Sequence, residues 1–99
     1  MMSKRLEGRV AVITGAGSGI GYATAKRLAS EGAHVVAVDT NDETGNAIAT
    51  EVGGIFVNAD VTNAAQVENM YKVAFDKYGR IDIAFNNAGI SPPDDDSIL

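Results

Sequence analysis

Eight consecutive residues have types and spacing suited to holding a phosphate: Thr14-Gly15-Ala16-Gly17-Ser18-Gly19-Ile20-Gly21. The apolar run Val10-Ala11-Val12-Ile13 precedes them, and a helix-like segment, Tyr22 to Glu31, follows. Strand, glycine-rich turn and helix in that order bring main chain against an anion. Glycine leaves room for close approach of the ligand to the backbone. The helix beyond it offers unpaired N–H groups and the positive end of its dipole. Eighteen residues after Gly21 stands Asp39, at the end of the next apolar run. An acid roughly 20 residues beyond such a turn is where a dinucleotide-binding unit meets the adenosine ribose.

The spacing within the turn is itself informative. A Gly-x-Gly-x-x-Gly reading fails, because the register from Gly15 places Ile20 at the third glycine and the register from Gly17 places Tyr22 there. The pattern that fits is Thr14-Gly15-x-x-x-Gly19-x-Gly21. Other residues carry less. His34 is the sole histidine and precedes an apolar run, which suits a strand edge better than catalysis or metal binding. Asp94-Asp95-Asp96 reads as a solvated loop rather than a cation site. With no cysteine, thiolate metal sites, disulfides and cysteine nucleophiles are excluded, so no metal ligand set is assigned.

The elements that must position these residues alternate along the chain. Residues 9–14, 34–38, 55–58 and 81–85 read as strands, the first nearly continuous in apolar residues, as a strand covered on both faces should be. Residues 19–31, 41–52 and 63–78 read as helices. In the first, Ile20, Ala23, Ala25, Leu28 and Ala29 are available for packing, and Gly32 ends it. The third is the clearest. Val67, Met70, Tyr71, Ala74 and Tyr78 recur at steps of three and four, Tyr71, Phe75 and Tyr78 are expected to pack, and Thr62 is the expected N-cap. The order βαβαβαβ with right-handed crossovers gives an α/β fold, a doubly wound parallel sheet with helices on both faces. In the dinucleotide-binding arrangement its strand order is 3-2-1-4, which brings the Gly15–Gly21 loop and the Asn86-Asn87-Ala88-Gly89 loop to the point where the order reverses.

Four segments together carry a family resemblance: the Thr14–Gly21 turn, Asp39 after the second strand, Asp60-Val61 after the third, and Asn86-Asn87-Ala88-Gly89 after the fourth. From about Leu6 to Ile90 the chain resembles the N-terminal part of a short-chain dehydrogenase/reductase of the larger soluble type. The resemblance implies a Rossmann-type fold, a nicotinamide cofactor and reversible alcohol–ketone oxidoreduction on a small-molecule substrate. It implies that Gly15, Gly17, Gly19 and Gly21 shape the pyrophosphate turn, and that Ser18 and Ile20 contact the ribose–phosphate region through a hydroxyl and a backbone N–H. Asp39 would accept from the adenosine ribose hydroxyls. Asp60 and Val61 would line the adenine pocket. Asn87, Ala88 and Gly89 would approach the ribose nearer the nicotinamide, with Asn86 structural. The charge of Asp39 would repel a 2′-phosphate, and no arginine or lysine lies in the turn before Gly19 or directly after Asp39, so NAD is expected over NADP. Asp39 could also cap the following helix, and Asp60 could simply cap a turn.

The family's catalytic tyrosine and lysine stand four residues apart, and Tyr22 and Lys26 share that spacing and one helix face. They lie at the pyrophosphate turn, where the family does not place the pair, and Ser91 and Ser97 do not match its serine. No catalytic residue is assigned.

Ninety-nine residues allow at most one domain, able to bury about two-thirds of its unfolded surface. A net charge of −5 with no basic tract argues against nucleic acid and anionic membranes, and no apolar run approaches the ~20 residues of a membrane span. No secretion signal is read at the N-terminus, and a cytoplasmic location is expected. Residues 1–90 are read as the NAD-binding portion and 91–99 as a loop leading into a C-terminal half outside this chain, since two prolines, three acids and a final Ile98-Leu99 look like the approach to another element. By resemblance the working form is a homo-oligomer, a tetramer. The alternatives are a non-catalytic NAD-binding module and a fragment inactive on its own.

Overall fold

The computed structural model describes residues 5–86. Four strands and three helices alternate: β1 (Val10–Thr14), α1 (Gly19–Ser30), β2 (His34–Asp39), α2 (Asp42–Val52), β3 (Ile55–Asn58), α3 (Ala64–Tyr78) and β4 (Ile83–Asn86). The strands form one sheet in the order β3-β2-β1-β4, and every neighbouring pair is parallel. This is the expected 3-2-1-4 arrangement.

Alternation along β1 divides the core in two. Val10 and Val12 join Val36, Val38, Val57, Met70 and Ala74 under α3. Ala11 and Ile13 join Val35, Ala37, Ala25, Ile48 and Ala49 under α1 and α2. A central strand buried on both faces has no polar side to show, which is why all five β1 residues are buried, Thr14 included. The expected stripe of α3 packs as read, with Met70 and Ala74 buried and Val67, Tyr71 and Tyr78 against the same cluster. On the other face α2 lies close to the sheet at Gly45, where a Cβ would fall on the Phe56 ring.

The structure moves several boundaries. β4 begins at Ile83 rather than at residue 81, because the Asp82 carboxylate accepts the Val10 N–H at 2.9 Å and the ladder pairs only from Ala11 with Ile83. The N-cap of α3 is Asn63, whose side chain accepts from the Gln66 N–H at 3.1 Å. Thr62 is drawn away by Asp60, to which both its N–H (2.9 Å) and its hydroxyl (2.7 Å) donate. α1 stops at Ser30, with Gly32 following in the left-handed region at φ 98°. Ile20 and Ala23 are exposed and do not pack, since the side of α1 that meets the core is the one carrying Gly21 and Ala25. Phe75, read as a packing residue, is 55% exposed. Asn87, Ala88, Gly89 and the tail lie outside the described residues.

Candidate functional site

The turn after β1 is fastened by the chain's own groups. Gly15 takes φ 64°, a conformation that a side chain would strain, and turns the chain off the strand. The Ala16 N–H then donates to Val38 O at 3.1 Å, tying the turn to β2. The Gly17 N–H donates to Asp39 Oδ2 at 2.8 Å. A Cβ on Gly17 would stand 2.9 Å from that same oxygen and 2.8 Å from the Thr44 methyl, so turn, acid and α2 meet too closely there for any side chain. Ser18 closes the turn on Gly15 O, through its N–H at 3.0 Å and its hydroxyl at 2.9 Å.

Because its hydroxyl is turned to Gly15, Ser18 stands at the N-cap of α1 without a side-chain bond to the helix, and no acidic residue lies in the first turn. The other two helices carry side-chain caps. Asn41 caps α2 through the Thr44 N–H at 2.9 Å, and Asn63 caps α3. A helix start of this kind presents N–H groups and partial positive charge to an anion. Gly19 and Ile20, the first residues of this end, are exposed, Ile20 by 67%.

Asp39 ends β2 beside the turn, half-buried. Its Oδ1 accepts from the N–H groups of Thr40 (2.7 Å) and Asn41 (3.1 Å), while Oδ2 holds Gly17. It does not cap α2, since Asn41 does. Asp60 and Val61 follow β3 at the same end of the sheet. Thr62, through its hydroxyl and then its N–H, holds the Asp60 carboxyl below the usual aspartate range, so Asp60 does close a turn. Val61 lines a cavity of about 260 Å³ with Thr14, Val67, Met70, Tyr71 and Asn86, between α3 and the ends of β1 and β4. The structure thus gathers Gly15, Gly17, Ser18, Gly19, Ile20, Gly21, Asp39, Asp60 and Val61 at the carboxyl edge of the sheet.

Tyr22 and Lys26 serve elsewhere. The Tyr22 hydroxyl lies 3.0 Å from both oxygens of Glu51 in α2, and Lys26 Nζ lies 3.3 Å from Glu51 Oε2. Glu51 and then Tyr22 raise the Lys26 pKa, and the group makes a surface clasp between two helices. His34 sits at the opposite end of β2 from Asp39, its ring stacked on Tyr78 at 4.7 Å between centroids. No group of three or more potential metal ligands occurs among the described residues.

Two contributors escape a reading of the sequence. Thr44 bounds the turn at Gly17. Asn58, paired in register with Asp39, donates to the segment just after it. No local pattern announces either; both follow from strand register and helix placement.

The chain matches the family described as short chain dehydrogenase over residues 9–98. It is similar to "Short chain aldehyde dehydrogenase 1" of Euphorbia lathyris, with 46% identity over 98% of this chain and 35% of that protein. To "Tropinone reductase-like 2" of Erythroxylum coca it is 49% identical, over 88% of this chain and 32% of the other. Among solved structures, a short chain dehydrogenase/reductase from Burkholderia phymatum in complex with NAD superposes with a TM-score of 0.83 at 36% identity, covering 92% of this chain and 34% of that one. The chain spans about a third of the length of the curated relatives it matches.

Proposed function

The chain belongs to the short-chain dehydrogenase family, and from that premise we propose that it supplies the NAD-binding part of an oxidoreductase that moves a hydride between an alcohol carbon and a carbonyl carbon of a small molecule. One observation carries the reading. The helix that starts at the end of the glycine turn has no side-chain cap, and an acid lies bonded to that same turn. The residues fit the cofactor: the α1 start has no side-chain cap and open space beside Gly19, which suits a pyrophosphate. When bound, the nicotinamide accepts or gives the hydride.

The chain's own residues bind and orient. Gly15 and Gly17 keep the turn tight, and Gly19, Ile20 and Gly21 direct main-chain N–H groups to the pyrophosphate. Ser18 sits at the ribose–phosphate end. Asp39 accepts from the adenosine ribose, and its charge opposes a 2′-phosphate, which favours NAD over NADP. Asp60 and Val61 line the adenine side, and Asn87, Ala88 and Gly89 border the ribose nearer the nicotinamide. Proton transfer and substrate choice fall to residues outside this chain, and the working form is a homo-oligomer.

The NAD-complexed relative supports this reading. The test is a fluorescence titration of the full-length protein with NADH and NADPH. NADH is expected to bind the more tightly. Failure to bind either would overturn the reading, and a preference for NADPH would overturn the role given to Asp39.

A further inference from the structure

Asn58 and Asp39 lie in register at the carboxyl ends of β3 and β2. The Asn58 amide does not bond Asp39. It spans the next three residues, donating through Nδ2 to Asp42 Oδ1 at 2.7 Å and to Thr40 O at 3.2 Å. That Thr40–Asp42 segment supplies the two N–H groups, of Thr40 and Asn41, that hold Asp39 Oδ1. Asp39 is therefore oriented by the segment, and the segment is oriented by Asn58.

We propose that Asn58 is a positioning residue for cofactor discrimination, bracing the Thr40–Asp42 segment so that Asp39 presents a fixed charged edge to the adenosine ribose and refuses a 2′-phosphate. The proposal rests on the NAD reading above. Telling a hydroxyl from a phosphate at one ribose carbon requires an acceptor that does not yield, because specificity comes as much from what is repelled as from what is bound. If the segment moves, the carboxylate turns aside. The N–H groups of Thr40 and Asn41 are then released toward an incoming anion, and successive main-chain N–H groups in a turn suit a phosphate well. Asn58 prevents this from β3, a strand that pairs with β2 and not with β1. The brace is exposed to water, so its two bonds together are worth about 1 kcal/mol, or roughly fivefold in a binding constant.

The test uses the full-length protein, with NADH and NADPH titrated by nicotinamide fluorescence and each variant's thermal melting measured alongside. Asn58→Ala removes both bonds. Asn58→Asp sets a carboxylate against that of Asp42. In Asn58→Asp with Asp42→Asn the amide and carboxylate trade places, restoring the bond between the two positions at unchanged net charge. The preference for NADH is expected to fall about fivefold in Asn58→Ala, further in Asn58→Asp, and to recover in part in the exchanged pair, which regains the bond between positions 58 and 42 but not the one to Thr40 O. Asp42→Asn alone leaves an acceptor for Asn58 and is expected to keep the preference. An unchanged preference in both Asn58→Ala and Asn58→Asp, with wild type binding NADH, overturns the proposal. So does an equal loss of both affinities with lowered melting, or a loss in Asp42→Asn as large as that in Asn58→Ala. Wild type that binds neither dinucleotide overturns the NAD reading, a result distinct from all of these.

Discussion

Asp39→Asn separates what the carboxylate does for the chain from what it does for a ligand. Both oxygens are in use: Oδ2 accepts from Gly17, and Oδ1 from Thr40 and Asn41. A carboxamide has one acceptor oxygen. Turned to keep Thr40 and Asn41, it sets its NH₂ against the Gly17 N–H. Turned to keep Gly17, it opposes the other two. The first orientation loses less, one charge-assisted bond at a half-buried site, about 1.5 kcal/mol of stability. Asp39→Ala loses all three, and about 3 kcal/mol is expected. The effect on binding follows separately. Making the acceptor neutral weakens its bond to a ribose hydroxyl by about 1 kcal/mol. Removing the charge relieves a repulsion of about 1–2 kcal/mol between carboxylate and 2′-phosphate in water-like surroundings. Together the preference for NADH over NADPH should narrow by about 2–3 kcal/mol, roughly 30- to 150-fold. Urea unfolding followed by circular dichroism reads the first quantity, and paired NADH and NADPH titrations the second. An Asn variant with wild-type stability would refute the account of the turn. One whose preference stays within about threefold of wild type would refute the ribose assignment.

Other expectations test the frame around the site. Gly45→Ala should destabilise by about 1 kcal/mol, because overpacking against the Phe56 ring outweighs the gain in helix propensity; Phe56→Val in the same chain should restore the loss, measured by urea titration. Asn63→Ala should cost about 1 kcal/mol as the loss of a helix cap, and the same assay would find no change if Thr62 were the cap. Met70→Ala should cost about 2–5 kcal/mol, since the side chain is buried under α3 among Val12, Val38 and Ala74. Acid should weaken the fold through Asp82 and Asp60. The Arg80 guanidinium, then the Val10 N–H, holds Asp82 below the ordinary 3.8, and the Thr62 hydroxyl and N–H do the same for Asp60. A carboxyl with a lowered folded-state pKa adds stability above its ordinary value and loses it as the pH falls below 3.8 through the folded value. Asp82→Asn should accordingly flatten the acid limb of a stability–pH curve; an unchanged limb would show that the Asp82 contacts contribute nothing.

The alternation of strands and helices was legible because burial writes it directly. Residues 10–13 are apolar without a break because helices cover both faces of β1, and the steps of three and four in α3 are the side that meets the sheet. The turn and Asp39 were legible for a related reason, since close approach and an open helix end demand particular residues at particular spacings. What periodicity does not convey is which side of α1 meets the core. Ile20 falls on a pattern that suggests packing, yet it is exposed while Gly21 and Ala25 take the buried side. Nor does composition choose between adjacent capping residues. Thr62 and Asn63 are both suitable, and Asp60 decides between them by engaging the Thr62 hydroxyl. Asn58 was invisible, because its role depends on the register that sets β3 beside Asp39.

The bonds Asp39 makes give it a role beyond ribose contact or helix capping. Its main-chain donors come from both sides, Gly17 from the turn and Thr40 with Asn41 from its own strand end. The carboxylate therefore joins the glycine turn to the end of β2. Ala16 adds a second tie through Val38, and Ser18 a third through Gly15. A turn held at three points has little freedom left to lose on binding, so more of the contact energy with an anion appears as affinity. It also follows that a change at Asp39 cannot be read from affinity alone. The same substitution loosens the glycine turn, and under the proposed reading that loss falls on NADH and NADPH alike. Only the ratio of the two affinities isolates the ribose contact, whereas the stability of the unliganded chain isolates the turn.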